Sequence, residues 1–123
     1  MNMKKLVPYF ITLLMITFAS LSYAGDIGKG AEIYNRKCVI CHGPYGKGDG
    51  NASKNLNPKP ADFTSSKFSS GKSDSQIINS ITKGIGSMPG YGKILKTSEI
   101  ENVAAYIRSL SGKRWFESST FKF

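Results

Sequence analysis

The 123-residue sequence predicts an all-α domain, and three capped apolar stripes predict it. From Ser98 onward Ile100, Val103, Ala104, Ile107 and Leu110 trace one helical face; Ser98 and Glu101 form a capping box before it and Gly112 stops it. A shorter stripe of Ile77, Ile78 and Ile81 runs to about Lys83, capped by Ser73 or Asp74, with Gln76 placed to close a capping box on Ser73 and Gly84 to end it. The earliest follows Asp26, an N-cap residue, and covers Ile27 to Val39 with Ile27, Gly30, Ala31, Tyr34 and Cys38 recurring on one face.

The length allows one compact domain plus segments at its ends. Residues 1–24 read as a secretory signal: two lysines within Met1 to Lys5, a mainly apolar run from Leu6 to Leu21, and Ser22-Tyr23-Ala24 as a small-residue cleavage site. Cleavage after Ala24 predicts a periplasmic protein with no stable membrane insertion. An uncleaved segment would instead be an N-terminal anchor, because Leu6 to Tyr23 reaches the lower edge of a bilayer span; Pro8, Thr12, Thr17 and Ser20 weaken that reading.

The first predicted helix delivers Cys38-Val39-Ile40-Cys41-His42. C-x-x-C-H is the signature of covalent c-type haem attachment. Cysteines three apart on a helix project from one face, as bonding to two vinyl groups of one porphyrin requires. His42, the only histidine in the chain, follows directly and supplies a proximal iron ligand. Outside the cytoplasm a bare C-x-x-C pair would form a disulfide. A zinc site is the other rival, but three ligands crowded into five residues, with no second cluster, do not complete a tetrahedron.

Residues 43–60 are rich in glycine, asparagine and proline. They lack the strand and spacing of a phosphate-binding loop, and Asp49-Gly50-Asn51 lacks the carboxylates of a calcium loop. Their expected task is a tight backbone turn around one haem edge, where side chains would obstruct. Ala61 to Gly71 is polar, with Phe63 and Phe68 as anchors to the core.

Met88 is the one methionine that remains once residues 1–24 are removed. It lies in Gly84-Ile85-Gly86-Ser87-Met88-Pro89-Gly90-Tyr91-Gly92, hemmed by glycines and stiffened by Pro89. A methionine is more often core filler; a rigid, glycine-rich loop is a better place to present a thioether as the sixth ligand of a haem iron. On the last helix Tyr106 and Arg108 fall off the centre of the stripe and read as surface or boundary residues, Arg108 above all. The tail 113–123 holds Trp115, Phe116, Phe121 and Phe123, which either pack back on the domain or mark a partner contact.

The chain has 17 basic and 8 acidic residues, and loss of Lys4 and Lys5 leaves a net charge of about +7. The lysines are scattered singly, so the charge does not mark a nucleic-acid partner. It serves solubility, or steers the protein toward an acidic partner.

Together these residues resemble a class I mono-haem cytochrome c of the small bacterial type over residues 26–112. The resemblance is carried by Gly30 with Tyr34, by Cys38-Val39-Ile40-Cys41-His42, by Gly43-Pro44-Tyr45-Gly46-Lys47-Gly48-Asp49-Gly50, by Gly86-Ser87-Met88-Pro89, and by Val103-Ala104-Ala105-Tyr106-Ile107-Arg108-Ser109-Leu110. It implies three to four helices around one covalently bound haem c, first and last helices crossing near Gly30 and Tyr106, and a haem crevice with one exposed edge. It also implies a proline carbonyl that orients the proximal imidazole, Pro60 being the expected donor of that carbonyl and Pro58 the alternative. The domains are then a signal at 1–24, a cytochrome c domain at 25–112 and the tail at 113–123.

With His42 and Met88 on the iron no site remains for substrate, so the reading is a monomeric electron carrier and not an enzyme. It would dock briefly with redox proteins bearing acidic surfaces, guided by lysines such as Lys37, Lys47, Lys93 and Lys96. Two other classes stay open: a tightly bound haem c subunit of a larger dehydrogenase or oxidase complex, and a gas-sensing or peroxide-reactive haem protein with a labile sixth ligand.

Overall fold

The computed structural model describes residues 25–112. The expected signal at 1–24 and the aromatic tail at 113–123 lie outside the described residues. Helices α1 (Ile27–Lys37), α2 (Val39–His42), α3 (Ser66–Gly71), α4 (Asp74–Lys83) and α5 (Thr97–Leu110) follow one another, with a 3₁₀ turn at Asn51–Asn55 between α2 and α3. Among the described residues there is no strand, only an isolated bridge between Ile85 and Met88.

Helices α1 and α5 form the spine, and their crossing explains Gly30. A Cβ there would run into the Asn102 carbonyl and sit 3.0 Å from the Cβ of Tyr106. Beside the crossing, the rings of Tyr34 and Tyr106 meet at 5.0 Å with a 60° tilt. The Asn102 side chain, buried in α5, accepts a hydrogen bond from the Asp26 N–H at 2.7 Å and ties down the start of α1. Ile33, Ile77, Ile81, Ile100, Val103 and Ile107 complete one apolar core, each buried aliphatic side chain contributing about 1.5–3 kcal/mol.

Several elements depart from the sequence reading. Helix α1 ends at Lys37 and the chain turns at Cys38 before α2 begins. Its buried face carries Ile33 rather than Ile27, which is 44% exposed. Helix α5 starts at Thr97: Glu99, not Glu101, reaches back, accepting from the Lys96 N–H at 2.8 Å. Helix α3, six residues long, has no expected counterpart; Ser65 caps it by accepting from the Phe68 N–H.

Arg108 is the largest correction. Expected at the surface, its side chain is fully buried. Its Nε donates to Asp74 Oδ1 at 2.8 Å, Nη1 to the Ser69 carbonyl at 3.0 Å and Nη2 to the Lys72 carbonyl at 2.6 Å. The planar guanidinium thus fastens the α3–α4 junction to α5, using the fork geometry that a lysine lacks. In α4, by contrast, the capping box stands as read: Ser73 Oγ accepts from the Gln76 N–H and Gln76 Oε1 from the Ser73 N–H.

Candidate functional site

The site begins where α1 runs out. The Cys38 N–H still bonds the Tyr34 carbonyl at 2.8 Å, and the His42 N–H then bonds the Cys38 carbonyl at 2.9 Å, closing the single turn that carries Cys41 and His42. Gly43, at φ 81°, ends that turn in a conformation that favours glycine.

The glycine-rich segment that follows doubles back on this turn. Gly48 N–H donates to the His42 carbonyl at 2.8 Å and Gly50 N–H to the Cys41 carbonyl at 3.1 Å, satisfying two of the acceptors that every helix end leaves open. A Cβ at Gly50 would strike the Ile40 carbonyl. The observed reason for the glycine is therefore close approach to the backbone of residues 40–42.

The same segment sets the histidine. The Gly46 carbonyl accepts from the Phe63 N–H at 2.7 Å, which brings the Phe63 ring face to face with the His42 imidazole, centroids 4.4 Å apart and planes within 17°. Nδ1 of His42 lies 3.3 Å from the Ala61 carbonyl. That contact corrects the expectation for Pro60, and for Pro58. The Pro60 carbonyl is turned toward Gly48, where the missing side chain leaves it room, so the acceptor at the imidazole is one residue further on. A proton on Nδ1 leaves Nε2 with its lone pair, the state a metal ligand needs.

Burial lowers the His42 pKa, partly offset by the Ala61 hydrogen bond, and keeps the ring neutral. In the chain before haem attachment, burial, with nearby Cys41, pushes the Cys38 thiol up to about 11. Cys38 and Cys41 are not joined to each other. Among the described residues no group of three His, Cys, Asp or Glu side chains is placed to hold a metal ion.

Met88 comes from the segment after α4. Its N–H donates to the Ile85 carbonyl at 2.9 Å and its carbonyl accepts from the Ile85 N–H at 3.2 Å. Gly86 takes φ 56° at the first central position of this two-residue turn, as a type II′ turn requires. The Met88 side chain packs half-buried against the core.

Cys38, Cys41, His42 and Met88 line one cavity of about 370 Å³, together with apolar residues that include Phe63, Ile81 and Ile107. Two thiols, a neutral imidazole and a thioether facing one largely apolar space fit a haem: the sulfurs for its vinyl groups, the nitrogen and thioether for its iron, the aliphatic and aromatic walls for its macrocycle. Pro60 and Pro58 line the same cavity. Of the four lysines singled out in the sequence only Lys37 lines it; Lys59 and Lys72, which the sequence did not single out, do so as well. Ala61 and Tyr91 were also missed. Tyr91 carried a readable signal, lying three residues after Met88 in the same glycine-rich loop.

The chain is similar to known c-type cytochromes. Residues 25–107 match the family model described as cytochrome c oxidase, cbb3-type, subunit III. The chain is 35% identical over 117 residues to cytochrome c6 of Gloeothece citriformis, covering 92% of this chain and all of that one. It is 36% identical over 86 residues to cytochrome c6 of Microcystis aeruginosa, covering 70% of this chain and 99% of that one. Among solved structures, cytochrome c6 from the diatom Phaeodactylum tricornutum superposes with a TM-score of 0.57 at 28% identity, covering 72% of this chain and 97% of that one.

Proposed function

Because the chain belongs to the small mono-haem class I cytochromes c, we propose that Cys38 and Cys41 would bind its haem and that His42 and Met88 would be the protein ligands of its iron. The protein is an electron-transfer cytochrome with one covalently bound haem c, not an enzyme, and it acts with redox partners. One observation carries the ligand assignment: His42 and Met88, from distant parts of the chain, line the same apolar cavity as both cysteines.

Bound haem supplies a one-electron couple at its iron. The chain does the rest. The Ala61 carbonyl holds the proton on His42 Nδ1 and the Phe63 face fixes the ring plane. The hydrogen-bonded turn at Ile85–Met88 presents the thioether from a short, pinned backbone. With both His42 and Met88 holding the iron, the protein would offer it no room for a substrate, which supports transfer of an electron as the chemistry.

The partner surface follows from charge. Lys37, Lys59 and Lys72 are exposed residues that also line the cavity, and the excess of basic residues favours partners with acidic docking surfaces. Residues 1–24 act as a cleaved export signal, so the monomeric mature protein works in the periplasm. No helix among the described residues is long and apolar enough to cross a membrane.

The test is an absorption spectrum of the exported protein, native and denatured, beside Met88→Ala. Haem that stays with the denatured chain is expected, as is a methionine-to-iron charge-transfer band that Met88→Ala abolishes with a fall in reduction potential. A chain without haem, or a band that persists in Met88→Ala, refutes the assignment.

A further inference from the structure

The segment bearing Met88 is rooted in α4. Tyr91 N–H donates to the Ile81 carbonyl at 2.8 Å and Gly92 N–H to the Thr82 carbonyl at 3.0 Å, both acceptors in the last turn of that helix. Gly90 passes so close that a Cβ would lie 2.8 Å from the Lys83 carbonyl. These contacts fix the base of the segment but do not reach the part of the cavity formed by Cys38, Cys41 and His42.

Among the described residues one hydrogen bond does. The Tyr91 hydroxyl donates to the Lys37 carbonyl at 3.2 Å, bridging 54 positions in sequence. Lys37 is the last residue of α1 and directly precedes Cys38, and carbonyls at a helix end lack intrahelical donors. Tyr91 meanwhile lines the cavity with Cys38, His42 and Met88, and its carbonyl accepts from the N–H groups of Ile94 and Leu95. Tyr91 is therefore held on both sides, by α4 through its main chain and by α1 through its phenol.

We propose that Tyr91 is the positioning residue for the sixth ligand: its hydroxyl latches the Met88 segment to the end of α1, next to the first haem-binding cysteine, and so resists displacement of the thioether. This inference rests on Met88 being the ligand. When an external ligand replaces Met88, the segment must swing outward. The phenol then exchanges the Lys37 carbonyl for water, so the latch adds to the cost of opening. A net hydrogen bond of ordinary strength corresponds to a factor of about five in that equilibrium.

The experiment is a titration of the ferric holoprotein with imidazole, followed by loss of the methionine-to-iron band. It compares wild type with Tyr91→Phe, which keeps the ring and removes only the hydroxyl. Met88→Ala tests ligation, and Ser65→Ala weakens the cap of α3, away from the latch. Tyr91→Phe is expected to retain the band in the absence of imidazole and to bind imidazole about five-fold more tightly, while Ser65→Ala matches wild type. Wild-type affinity in Tyr91→Phe overturns the latch. So does an equal gain in Ser65→Ala, because the effect would then be global loosening. A band that survives in Met88→Ala fails the ligand assignment itself, whereas its loss there with no change in Tyr91→Phe fails the latch alone.

Discussion

Replacing Arg108 by methionine keeps a long stem in the core but withdraws a guanidinium from Asp74 and from the carbonyls of Ser69 and Lys72. Removing one member of a buried ion pair costs about 3–5 kcal/mol. Asp74 retains 21% side-chain exposure, so water recovers part of its solvation and the lower end, about 3 kcal/mol, applies. With a urea m-value of about 1.5 kcal/mol per molar, the unfolding midpoint of the holoprotein falls by about 2 M. Far-UV circular dichroism against urea measures it. Arg108→Lys should recover less than half of the loss, since one ammonium does not reproduce a fork directed at three acceptors. A midpoint shift below about 0.5 M for Arg108→Met would be the cost of a surface substitution and would refute the buried clamp.

Two further perturbations probe the spine and its pH response. Gly30→Ala drives a Cβ into the Asn102 carbonyl and against Tyr106, so α1 and α5 must separate; at about 2 kcal/mol for overpacking the thermal midpoint should drop by roughly 10 °C, and an unchanged midpoint would show that the crossing is looser than described. Burial holds the Tyr34 hydroxyl above its ordinary range, and it donates to the Gly43 carbonyl at 2.7 Å. The folded chain therefore keeps this proton after the unfolded chain has lost it, so the contribution is complete below about pH 10 and declines as pH rises above that value. Tyr34→Phe should lower stability near neutrality by about 1–2 kcal/mol and lose less between about pH 8 and about pH 11 than wild type. Equal alkaline losses in urea midpoints would exonerate the phenol.

The parts legible in sequence were those whose reason is local. Cys38, Cys41 and His42 announce themselves by spacing, Ser73 and Gln76 by a cap that closes within three residues, and the α5 core by Ile100, Val103, Ala104 and Ile107 at one period. Met88 is marked by its solitary place beside Pro89, and the structure puts it on the cavity that the cysteines and His42 line. What stayed hidden depends on partners far along the chain. Arg108 looked like a solvated charge because its acceptors at residues 69–74 come from another helix junction. Helix α3 is six residues, three of them serine, held by the Ser65 cap and the packing of Phe68 on Phe63, not by periodicity. The choice between the Pro60 and Ala61 carbonyls is a matter of which way one peptide faces, and Gly48 decides it across a gap of 12 residues.

The stacking of His42 on Phe63 bears on speed as well as on binding. A carrier passes its electron quickly when the atoms around the donor barely have to relocate between the two charge states. An imidazole pressed flat against a phenyl ring at 4.4 Å, with its far nitrogen tethered to the Ala61 carbonyl, has little room to tilt or slide. Phe63 is itself buttressed by Phe68 at 4.9 Å. The aromatic pair thus stiffens the imidazole against reorganisation, and enlarging the space beneath it, as Phe63→Ala would, should slow self-exchange between oxidised and reduced protein even where His42 stays in place.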